Sequence, residues 1–435
     1  MPALVPVTLF FDPERRNWHI CSKEQTDAKC QKLYWGVPLT HVNMSVYNDP
    51  QNPSALLPMK AKVALAARPV LGPLVGILSA ESRDGSLKGN FSNYQAIMQA
   101  GKKIGGIVFA FTPSSVDWVK RKISGKIFDK NNNQWVTCSF PFPNVVYNRI
   151  QDRRHENKKS SQSCIQRFLS YPGITLYNRG FFNKREIIRV LSQSPQMNKY
   201  IPETNILVSE ADLINMLKRH KAVYLKPAND RLGSGIIRVI KSHSLKPYTM
   251  HYYAENKELT KYNTYNVHQL WKKIRQQMID SSYIVQQAVP LAAVSTCPFD
   301  FRVLVQKNRQ GRWKISGLGI RVAGHSESIT THVPRGGRID TPQNVLQQAF
   351  PHKKPAQITQ RVKRLCIAVA KKLEQQYHLL GEMSIDVGLD SNGCLWIFEA
   401  NAKPMKFDEP EIRKKQLGQV IRYAQFLTFR KILPR

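Results

Sequence analysis

The sequence lacks the features that mark most secreted proteins, membrane proteins and metal-cluster proteins. No apolar run approaches the roughly 18–20 residues that span a bilayer, and no basic region with an apolar core opens the chain as in a signal peptide. The seven cysteines are scattered and form no Cys-x-x-Cys pair, which argues against a disulfide framework and against a zinc site. These absences predict a chain without a membrane span that stays in the cytoplasm.

Acidic residues are also scarce, with 30 Asp and Glu against 65 Lys and Arg, so the formal net charge is +35. A charge of this size attracts polyanions, and the sequence predicts a polyanionic partner such as nucleic acid, a cell-wall polymer, an acidic peptide or nucleotide phosphates. General solubility is the alternative explanation. No zinc finger, RNP motif or other nucleic-acid signature is present.

The order of patterns predicts an α/β unit followed by α+β units, within a chain of 435 residues that is long enough for two or three cores. Strands at Val75–Leu78 and Gly106–Phe111, with a helical stretch between them, predict a parallel sheet. The polar segment Arg153–Gln162 is predicted to be a loop. We divide the chain into a small β-rich module (1–70), an α/β domain (71–180), a mixed domain of two subdomains (181–410) and a basic C-terminal helix (411–435).

One strand carries a lysine into a glycine-containing loop. Lys226 ends an apolar run, Gly233, Ser234 and Gly235 follow, and the β-branched segment 236–240 predicts a second strand. The P-loop pattern and its helix are absent, but a strand–glycine loop–strand unit also lets backbone amides approach a phosphate. Taken alone, such a unit is more often an ordinary hairpin, and the lysine at the strand end narrows the difference between the two explanations.

A later hairpin carries two carboxylates and an amide. Glu399 and Asn401 are two residues apart, so their side chains leave one face of a strand. A turn that pairs Leu389 with Cys394 places Asp386 diagonal to Glu399. Unpaired acids in such an apolar hairpin are costly, whereas Mg²⁺ prefers oxygen ligands. The pattern therefore predicts a site for Mg²⁺ or Mn²⁺, with a solvated hairpin face as the alternative.

Three further patterns involve side chains at or inside predicted strands. The backbone at Gln286 and Gln287, which end a strand, is placed where it could pair with an adenine edge, but these residues taken alone favour an ordinary edge strand. Arg302 and Arg321 interrupt apolar strands, which favours anion clamps through bidentate hydrogen bonds. The histidines are dispersed, and His332 alone among them is a candidate.

Taken in chain order, these segments resemble the ATP-grasp superfamily over about residues 180–410. Asn183–Lys184 is similar to the (D/N)K pair that opens a helix before a Pro-Glu-Thr linker, and the D-x-R strand resembles glutamate ligases of the ribosomal-modification type. The matching positions are Lys184 and Lys226 for the phosphate lysines, Gly233, Ser234 and Gly235 for the flexible loop, Gln286, Gln287 and Val289 for the adenine hinge, Asp300, Arg302 and Arg321 for the D-x-R strand and the arginine after it, and Asp386, Glu399 and Asn401 for the metal triad.

Within the superfamily, the length and the N-terminal extension resemble the YheC/YheD endospore coat-associated proteins. Two positions depart from the commoner pattern. Gln287 replaces the glutamate that many relatives carry at the hinge, and Lys403 adds a positive charge beside the metal triad.

The resemblance implies an ATP-grasp fold, with a pre-ATP-grasp α/β domain before two subdomains that grip ATP, and with the small β-rich module in front. It implies an ATP- and Mg²⁺-dependent ligase that joins a carboxylate to an amine through an acyl phosphate, in spore or cell-envelope formation. Lys184 and Lys226 would neutralise phosphate charge, and Arg302 and Arg321 would orient the acyl phosphate. The rival is a non-catalytic ATP-binding or structural spore coat-associated protein. Either would lie in the cytoplasm, associated with the developing spore or its coat, where a spore component is a further polyanionic partner.

Overall fold

The computed structural model of the chain describes residues 4–12, 17–21, 33–42, 44–47, 57–65, 68–228, 235–254, 258–279, 282–404, 407 and 409–430. Gly233 and Ser234 of the predicted phosphate loop lie outside the described residues, as do the last five residues of the chain.

The N-terminal segment forms the first sheet, which has seven strands in the order β4-β3-β7-β6-β1-β2-β5. Alternate residues of the first strand, including Val7, Leu9 and Phe11, are buried, as the two-residue period of a strand requires. The strands are β1 (Leu4–Asp12), β2 (Asn17–Cys21), β3 (Tyr34–Trp35), β4 (Thr40–His41), β5 (Met44–Tyr47), β6 (Leu57–Ala64) and β7 (Val70–Gly72).

The second sheet contains the predicted parallel unit. Its strands β8 and β11 are parallel neighbours, and helix α1 connects them. Strands β15 and β16 extend the parallel part on the other side of β8. The predicted strand–helix–strand order is therefore confirmed. The elements of this part of the chain are β8 (Leu74–Leu78), β9 (Ala80–Glu81), β10 (Leu87–Lys88), α1 (Phe91–Ile104), β11 (Ile107–Phe111), β12 (Val116–Asp117), β13 (Lys122–Asp129), β14 (Gln134–Pro141), β15 (Val145–Asn148), α2 (Arg153–Glu156), α3 (Lys159–Ser170) and β16 (Thr175–Tyr177). Of these strands, β9 and β10 pair only with each other, as a separate short hairpin.

The loop predicted over Arg153–Gln162 is wrong, because α2 and the first turn of α3 occupy that segment. The Asp152 side chain accepts a hydrogen bond from the His155 N–H and so caps α2. Helix α3 buries Cys164, Ile165 and Phe168 in the core of the first two sheets. The exposed polar side chains of the segment, such as Arg154 and Lys159, lie on the outer face of these helices, whereas Glu156 and Ser161 are buried.

The third sheet is a six-stranded antiparallel sheet in the order β17-β22-β18-β19-β20-β21. Its elements, with the two helices that precede it, are α4 (Lys184–Ser192), α5 (Pro195–Asn198), β17 (Thr204–Leu207), α6 (Glu210–Arg219), β18 (Ala222–Pro227), β19 (Ile237–Lys241), β20 (Tyr248–Tyr253), β21 (Leu259–Thr264), α7 (Val267–Gln277) and β22 (Tyr283–Gln287).

The fourth sheet has the order β26-β25-β24-β27-β28, with β23 also paired to β24. Helix α9 packs along it and buries one face that includes Val362, Cys366 and Val369. The elements are β23 (Ala293–Val294), β24 (Cys297–Lys307), β25 (Trp313–Val322), β26 (Arg338–Asp340), α8 (Pro342–Ala349), α9 (Pro355–Tyr377), β27 (Glu382–Leu389), β28 (Leu395–Asn401) and α10 (Pro410–Phe429).

The predicted register of the β27–β28 hairpin is wrong by one residue at the turn. Leu389 pairs with Leu395 rather than with Cys394. The reason is a three-residue turn: the Asp390 N–H binds the Cys394 carbonyl, the Asp390 carboxylate accepts the Cys394 N–H, and Gly393 takes a φ of +85°, where glycine is favoured.

A bulge at Phe398 then brings Asp386 and Glu399 back to the same face of the hairpin. Val387 pairs with Ile397, whereas Asp386 pairs with Glu399, so Phe398 is the extra residue in β28. A bulge inserts one residue on one strand and shifts the register beyond it. Asp386 therefore lies directly opposite Glu399 instead of diagonal to it.

The C-terminal helix α10 is an integral part of the core rather than a basic appendage. It buries Ile421, Tyr423, Ala424 and Leu427 in a cluster shared with α1 and the second sheet. Its exposed side includes Lys414, Lys415, Arg422 and Arg430. Among the helices of the described ranges, none is long and apolar enough to cross a membrane.

Candidate active site

A cavity of about 330 Å³ opens between the third and fourth sheets, and both sheets contribute predicted site residues to its wall. The structure brings most of those residues together there. The ones that line the cavity are Lys184, Lys226, Gln286, Gln287, Val289, Asp300, Arg321, Asp386 and Glu399. Arg302, Asn401 and Gly235 are not part of this lining.

Lys226 lies at the end of β18 and is enclosed on three sides. Its Nζ donates a 2.6 Å hydrogen bond to Gln286 Oε1, and it lies 5.4 Å and 5.6 Å from the ring centroids of Tyr224 and Phe398. Burial and the neighbouring Lys184 lower the pKa of Lys226 to about 8, against the opposing effect of the cavity carboxylates. Two ammonium groups that repel each other in one cavity favour an anionic ligand.

Lys184 is placed by a cap at the start of α4. The Asn183 side chain accepts hydrogen bonds from the Arg185 and Glu186 N–H groups, which is the usual way of satisfying free amides at a helix N-terminus. The capped helix start holds Lys184 at the cavity wall. In the predicted (D/N)K pair, Asn183 therefore caps the helix and Lys184 lines the cavity.

The predicted hinge is an internal strand, so the edge-strand alternative is wrong. Strand β22 pairs with β17 on one side and with β18 on the other. Gln287 is tied to Glu203 by its own backbone N–H, at 2.8 Å, and by its side-chain oxygen, at 3.2 Å. Gln286 donates to the Thr204 hydroxyl while accepting from Lys226. The Gln286 side chain therefore connects the predicted hinge and β17 to Lys226.

Gly235 is the described end of the predicted glycine loop. It adopts a left-handed conformation, with a φ of +65°, and its carbonyl accepts a 3.0 Å hydrogen bond from the Tyr283 hydroxyl. The bond fixes one end of the loop to β22, beside the hinge.

Arg321 joins two buried carboxylates on the opposite wall. Its Nε and Nη2 bind the two oxygens of Asp300 at 2.9 Å and 2.7 Å, and its Nη2 also binds Asp386 Oδ2 at 2.9 Å. Burial raises the pKa of Asp386, but the positive charges of Arg321 and Arg302 outweigh it, so the pKa lies below its usual value. Burial is the larger effect on Asp300, whose pKa is raised. Arg321 therefore keeps Asp386 ionised.

Arg302 lies outside the cavity lining but on the same face as the acids. It pairs in register with Asp386 on the neighbouring strand, and its guanidinium carbon lies 5.2 Å from the centroid of the Phe407 ring. Of the two predicted anion clamps, Arg321 is thus hydrogen-bonded to Asp300 and Asp386, and Arg302 lies over the Phe407 ring.

The acid pair fits a divalent cation. Asp386 Oδ1 is buried and has no hydrogen-bond partner within the described ranges, and Asp386 lies opposite Glu399, which also lines the cavity. Asn401 pairs with Ser384 two residues further along the same face. No group of three or more His, Cys, Asp or Glu is placed to share a metal in the part of the chain that the structure describes. Carboxylate and amide oxygens are nevertheless the ligands that Mg²⁺ takes.

Lys403 does not add charge beside these acids, contrary to the sequence-based expectation. Its ammonium is buried, forms an ion pair with Glu156, and donates to the Ile150 carbonyl at 3.2 Å. It lies 4.4 Å from the centroid of the Phe181 ring. The residue therefore ties the segment after β28 to α2 and to the segment after β15.

Sequence analysis missed several cavity residues. Tyr224 is two residues before Lys226 and therefore shares its strand face, a signal that the two-residue period could have supplied. Phe398 lines the cavity and is the extra residue of the bulge in β28, which no sequence pattern predicted. The segment 323–337 contributes Ser328 and Thr331 from an irregular loop without periodicity, beside His332, which the sequence had marked as a candidate.

Comparison with known proteins identifies relatives of the whole arrangement. A family model described as YheC/D like ATP-grasp matches residues 173–427. The endospore coat-associated protein YheD of Bacillus subtilis (strain 168) is 28% identical over 352 residues, which cover 79% of this chain and 75% of YheD. The endospore coat-associated protein YheC of the same organism is 23% identical over 295 residues, covering 68% of this chain and 79% of YheC.

Solved structures were also compared. The ATP-grasp ligase PsnB complexed with a minimal precursor is 13% identical, with a TM-score of 0.47, and the similarity covers 82% of this chain and 99% of PsnB. D-alanyl-alanine synthetase A from Vibrio cholerae O1 biovar eltor str. N16961 is 15% identical, with a TM-score of 0.45, over 82% of this chain and 96% of the synthetase.

The predicted fold class, α/β and α+β with an ATP-grasp core, is confirmed. The family model spans more than half of the 435 residues, and it includes both walls of the cavity together with most of α10. The chain belongs to the YheC/D-like ATP-grasp family.

Proposed function

We propose that the protein is an ATP- and Mg²⁺-dependent ligase that joins a carboxylate to an amine through an acyl-phosphate intermediate. One observation carries the proposal. A single cavity between two sheets is lined by two lysines, Lys184 and Lys226, and by two carboxylates, Asp386 and Glu399. The lysines suit a polyphosphate, and the carboxylates suit the cation that accompanies it.

The chemistry needs positioning and charge neutralisation more than a nucleophilic side chain. A substrate carboxylate oxygen forms a bond to the γ-phosphorus of ATP while ADP leaves. The amine then forms a bond to the acyl carbon, and the phosphate leaves with the former carboxylate oxygen. Lys184 and Lys226 neutralise phosphate charge and hold the triphosphate in place. Gln286 keeps the Lys226 ammonium oriented into the cavity.

The acid wall has a separate role. Asp386, Glu399 and Asn401 would hold Mg²⁺ (or Mn²⁺), which supplies charge stabilisation at the phosphate oxygens. Arg321 keeps the Asp386 carboxylate ionised and fixed. Arg302, whose guanidinium lies on the same strand face as Asp386, orients the acyl phosphate. Arg321 is therefore a positioning residue here, and Arg302 is the residue assigned to the reacting acyl group.

We also propose where the reaction takes place and what the charge contacts. The curated relatives bear the name endospore coat-associated protein, which supports a role in the cytoplasm at the developing spore or its coat. The charge of +35 supports contact with a polyanion, such as a wall polymer, an acidic peptide or a spore component. Exposed cations of α10, including Lys414 and Lys415, would take part in that contact.

A non-catalytic ATP-binding or structural coat-associated protein is the second candidate. One observation favours it: Arg321 already binds one oxygen of Asp386, which reduces the negative charge available to a cation. Such a protein would bind ATP without releasing ADP.

ADP release by the full-length protein distinguishes the two candidates. The assay supplies Mg²⁺, ATP and pools of amino acids, acidic peptides and wall precursors, with the Glu399→Gln variant as the matched control. A ligase releases ADP only when both an acid and an amine are present, and the variant does not. ATP binding without ADP release in any pool supports the structural candidate instead.

A further inference from the structure

A row of side chains crosses the face of the third sheet that lines the cavity. Strand pairing places Tyr224, Arg238, His251 and Lys261 opposite one another on β18, β19, β20 and β21. Residues paired in this way project from one face. Met250, the neighbour of His251, packs in the core on the other face. Tyr224 and Arg238 line the cavity, so the row begins in the cavity and continues toward the edge of the sheet.

Two members of this row contain buried polar atoms without partners. His251 exposes 3% of its surface, and neither ring nitrogen has a hydrogen-bond partner among the described residues. Arg238 Nε is likewise buried and without a partner there. A buried donor left without a partner is costly, and a bound acceptor would satisfy Arg238 Nε and the one N–H that a neutral His251 ring carries.

A third group of this kind faces the row from the fourth sheet. The loop 323–337 between β25 and β26 carries Arg335, whose guanidinium carbon lies 4.5 Å from the centroid of the Tyr253 ring. Arg335 Nη1 is buried and lacks a partner in the described parts of the chain. Tyr253 is two residues after His251 on β20 and shares its face. Arg335 thus reaches Tyr253, the next residue after His251 on the face that carries the row.

The charges around His251 are mostly positive. Burial lowers the pKa of His251, and the charges of Arg238 and Lys261 lower it further, while Glu327 raises it. Glu327 is exposed and lies 3.9 Å from the ammonium of Lys261 at the rim. This acid is therefore directed to the rim lysine and to solvent.

The positive cluster is separate from the phosphate lysines. The neighbouring charges with the largest effects on the pKa of Lys226 are Lys184, Glu399, Asp300 and Asp386. The corresponding charges for His251 are a different set. Along the row, His251 is three strands away from Gln286 of the hinge, or roughly 14 Å at the usual strand spacing.

We propose that Arg238, His251 and Arg335 form a subsite for an oxyanion of the non-nucleotide substrate. The proposal rests on the ligase function above, and it narrows the substrate class to acids with a second negative group besides the carboxylate that is activated. Arginine only donates hydrogen bonds, and its planar fork matches the paired oxygens of a carboxylate or a phosphate. The second group is therefore a carboxylate or a phosphate ester.

The test uses the full-length protein saturated with Mg²⁺ and a non-hydrolysable ATP analogue. The dipeptide L-glutamyl-L-glutamate and inorganic phosphate are titrated separately by calorimetry, and a preference between them distinguishes the two sources of the oxyanion. The variants are Arg238→Gln and Arg335→Gln. Their matched controls are Lys241→Gln, an exposed cation on the same strand as Arg238, and Arg338→Gln, an exposed cation three residues after Arg335.

We expect wild type to bind at least one probe, and each site variant to weaken that binding about tenfold or more while Mg²⁺–ATP affinity changes less than twofold. The controls should match wild type. Failure of wild type to bind either probe overturns the proposal, as does equal probe affinity in the site variants. Loss of ATP affinity in the site variants also overturns it, because these residues would then serve the nucleotide.

The outcomes also separate this subsite from the proposed function. Probe binding that is lost in the site variants, together with no ADP release in any pool, would retain the subsite and reject the ligase. ADP release with unaltered probe affinities would do the reverse. Thermal unfolding of each variant identifies any that do not fold. Because Arg238 lies on β19 and Arg335 lies in the loop 323–337, either variant alone can decide the question.

Discussion

Arg321 binds Asp300 through two hydrogen bonds and Asp386 through a third, so one guanidinium compensates two buried carboxylates on neighbouring strands. The arrangement leaves one oxygen of Asp386, Oδ1, without a hydrogen bond within the described ranges. The two oxygens of Asp386 therefore differ, because Arg321 binds Oδ2 and Oδ1 stays available to a cation.

Replacing Arg321 with Gln should therefore destabilise the protein. The change leaves Asp300 and Asp386 buried without their cation, and removal of one partner from a buried ion pair costs about 3–5 kcal/mol. Urea unfolding measures the difference. Arg338→Gln, an exposed arginine on β26, is the control and should change stability by less than about 0.5 kcal/mol. Similar losses in both variants would show that the Arg321 bridge contributes little.

Lys226 should make ATP binding sensitive to pH. Its pKa is lowered to about 8 by burial and by Lys184, and only the protonated ammonium attracts phosphate. Affinity for Mg²⁺–ATP should thus be highest below pH 8 and fall as the pH rises toward 9. Lys226→Ala should weaken binding at pH 7 at least tenfold, about 1.4 kcal/mol, and lose most of that pH dependence. Calorimetry that finds equal affinities for the two proteins would remove Lys226 from the phosphate site.

Asp386 and Glu399 should hold a divalent cation together with the nucleotide. Asp386→Asn and Glu399→Gln keep nearly the same shape but remove the charge, so Mn²⁺ affinity in the presence of an ATP analogue should fall about tenfold or more, about 1.4 kcal/mol. Electron paramagnetic resonance of Mn²⁺ measures this directly. Glu411→Gln, which removes an exposed acid on α10, is the control. Unchanged Mn²⁺ binding in both site variants would reject the acid pair as the metal site.

Helix α10 should matter for stability at its buried face and for polyanion contact at its exposed face. Tyr423→Ala removes a buried ring of the core and should lower the free energy of unfolding by about 3 kcal/mol or more.

The double variant Lys414→Gln, Lys415→Gln should leave the unfolding temperature unchanged but elute from an anionic matrix at lower salt, because fewer counterions are released. Elution at the same salt would exclude these two lysines from polyanion contact.

Local patterns in the sequence were sufficient to predict the strands that carry the cavity lysine and the cavity carboxylates. Lys226 at a strand end and the Glu399-x-Asn401 spacing depend on strand period alone, and both segments form the expected strands. The β8–α1–β11 unit was predictable for the same reason. Each of these features is decided by residues close together in the chain.

The features that failed depend on tertiary contacts. The hairpin register changed because the Asp390 carboxylate binds the turn backbone and Phe398 forms a bulge. Segment 153–162 became helical because Asp152 caps it and the hydrophobic face of α3 packs against distant strands. Lys403 pairs with Glu156, which is 247 residues earlier in the chain. No local pattern contains the information on such partners.

The central claim is that ATP phosphorylates a carboxylate before an amine displaces the phosphate. Labelling the pooled acid substrates with ¹⁸O in their carboxylates tests it in one mass-spectrometric measurement of the released phosphate. The account predicts that the phosphate contains one ¹⁸O atom, because the attacking carboxylate oxygen leaves with the phosphoryl group. Unlabelled phosphate, or label found in AMP instead, would contradict the account.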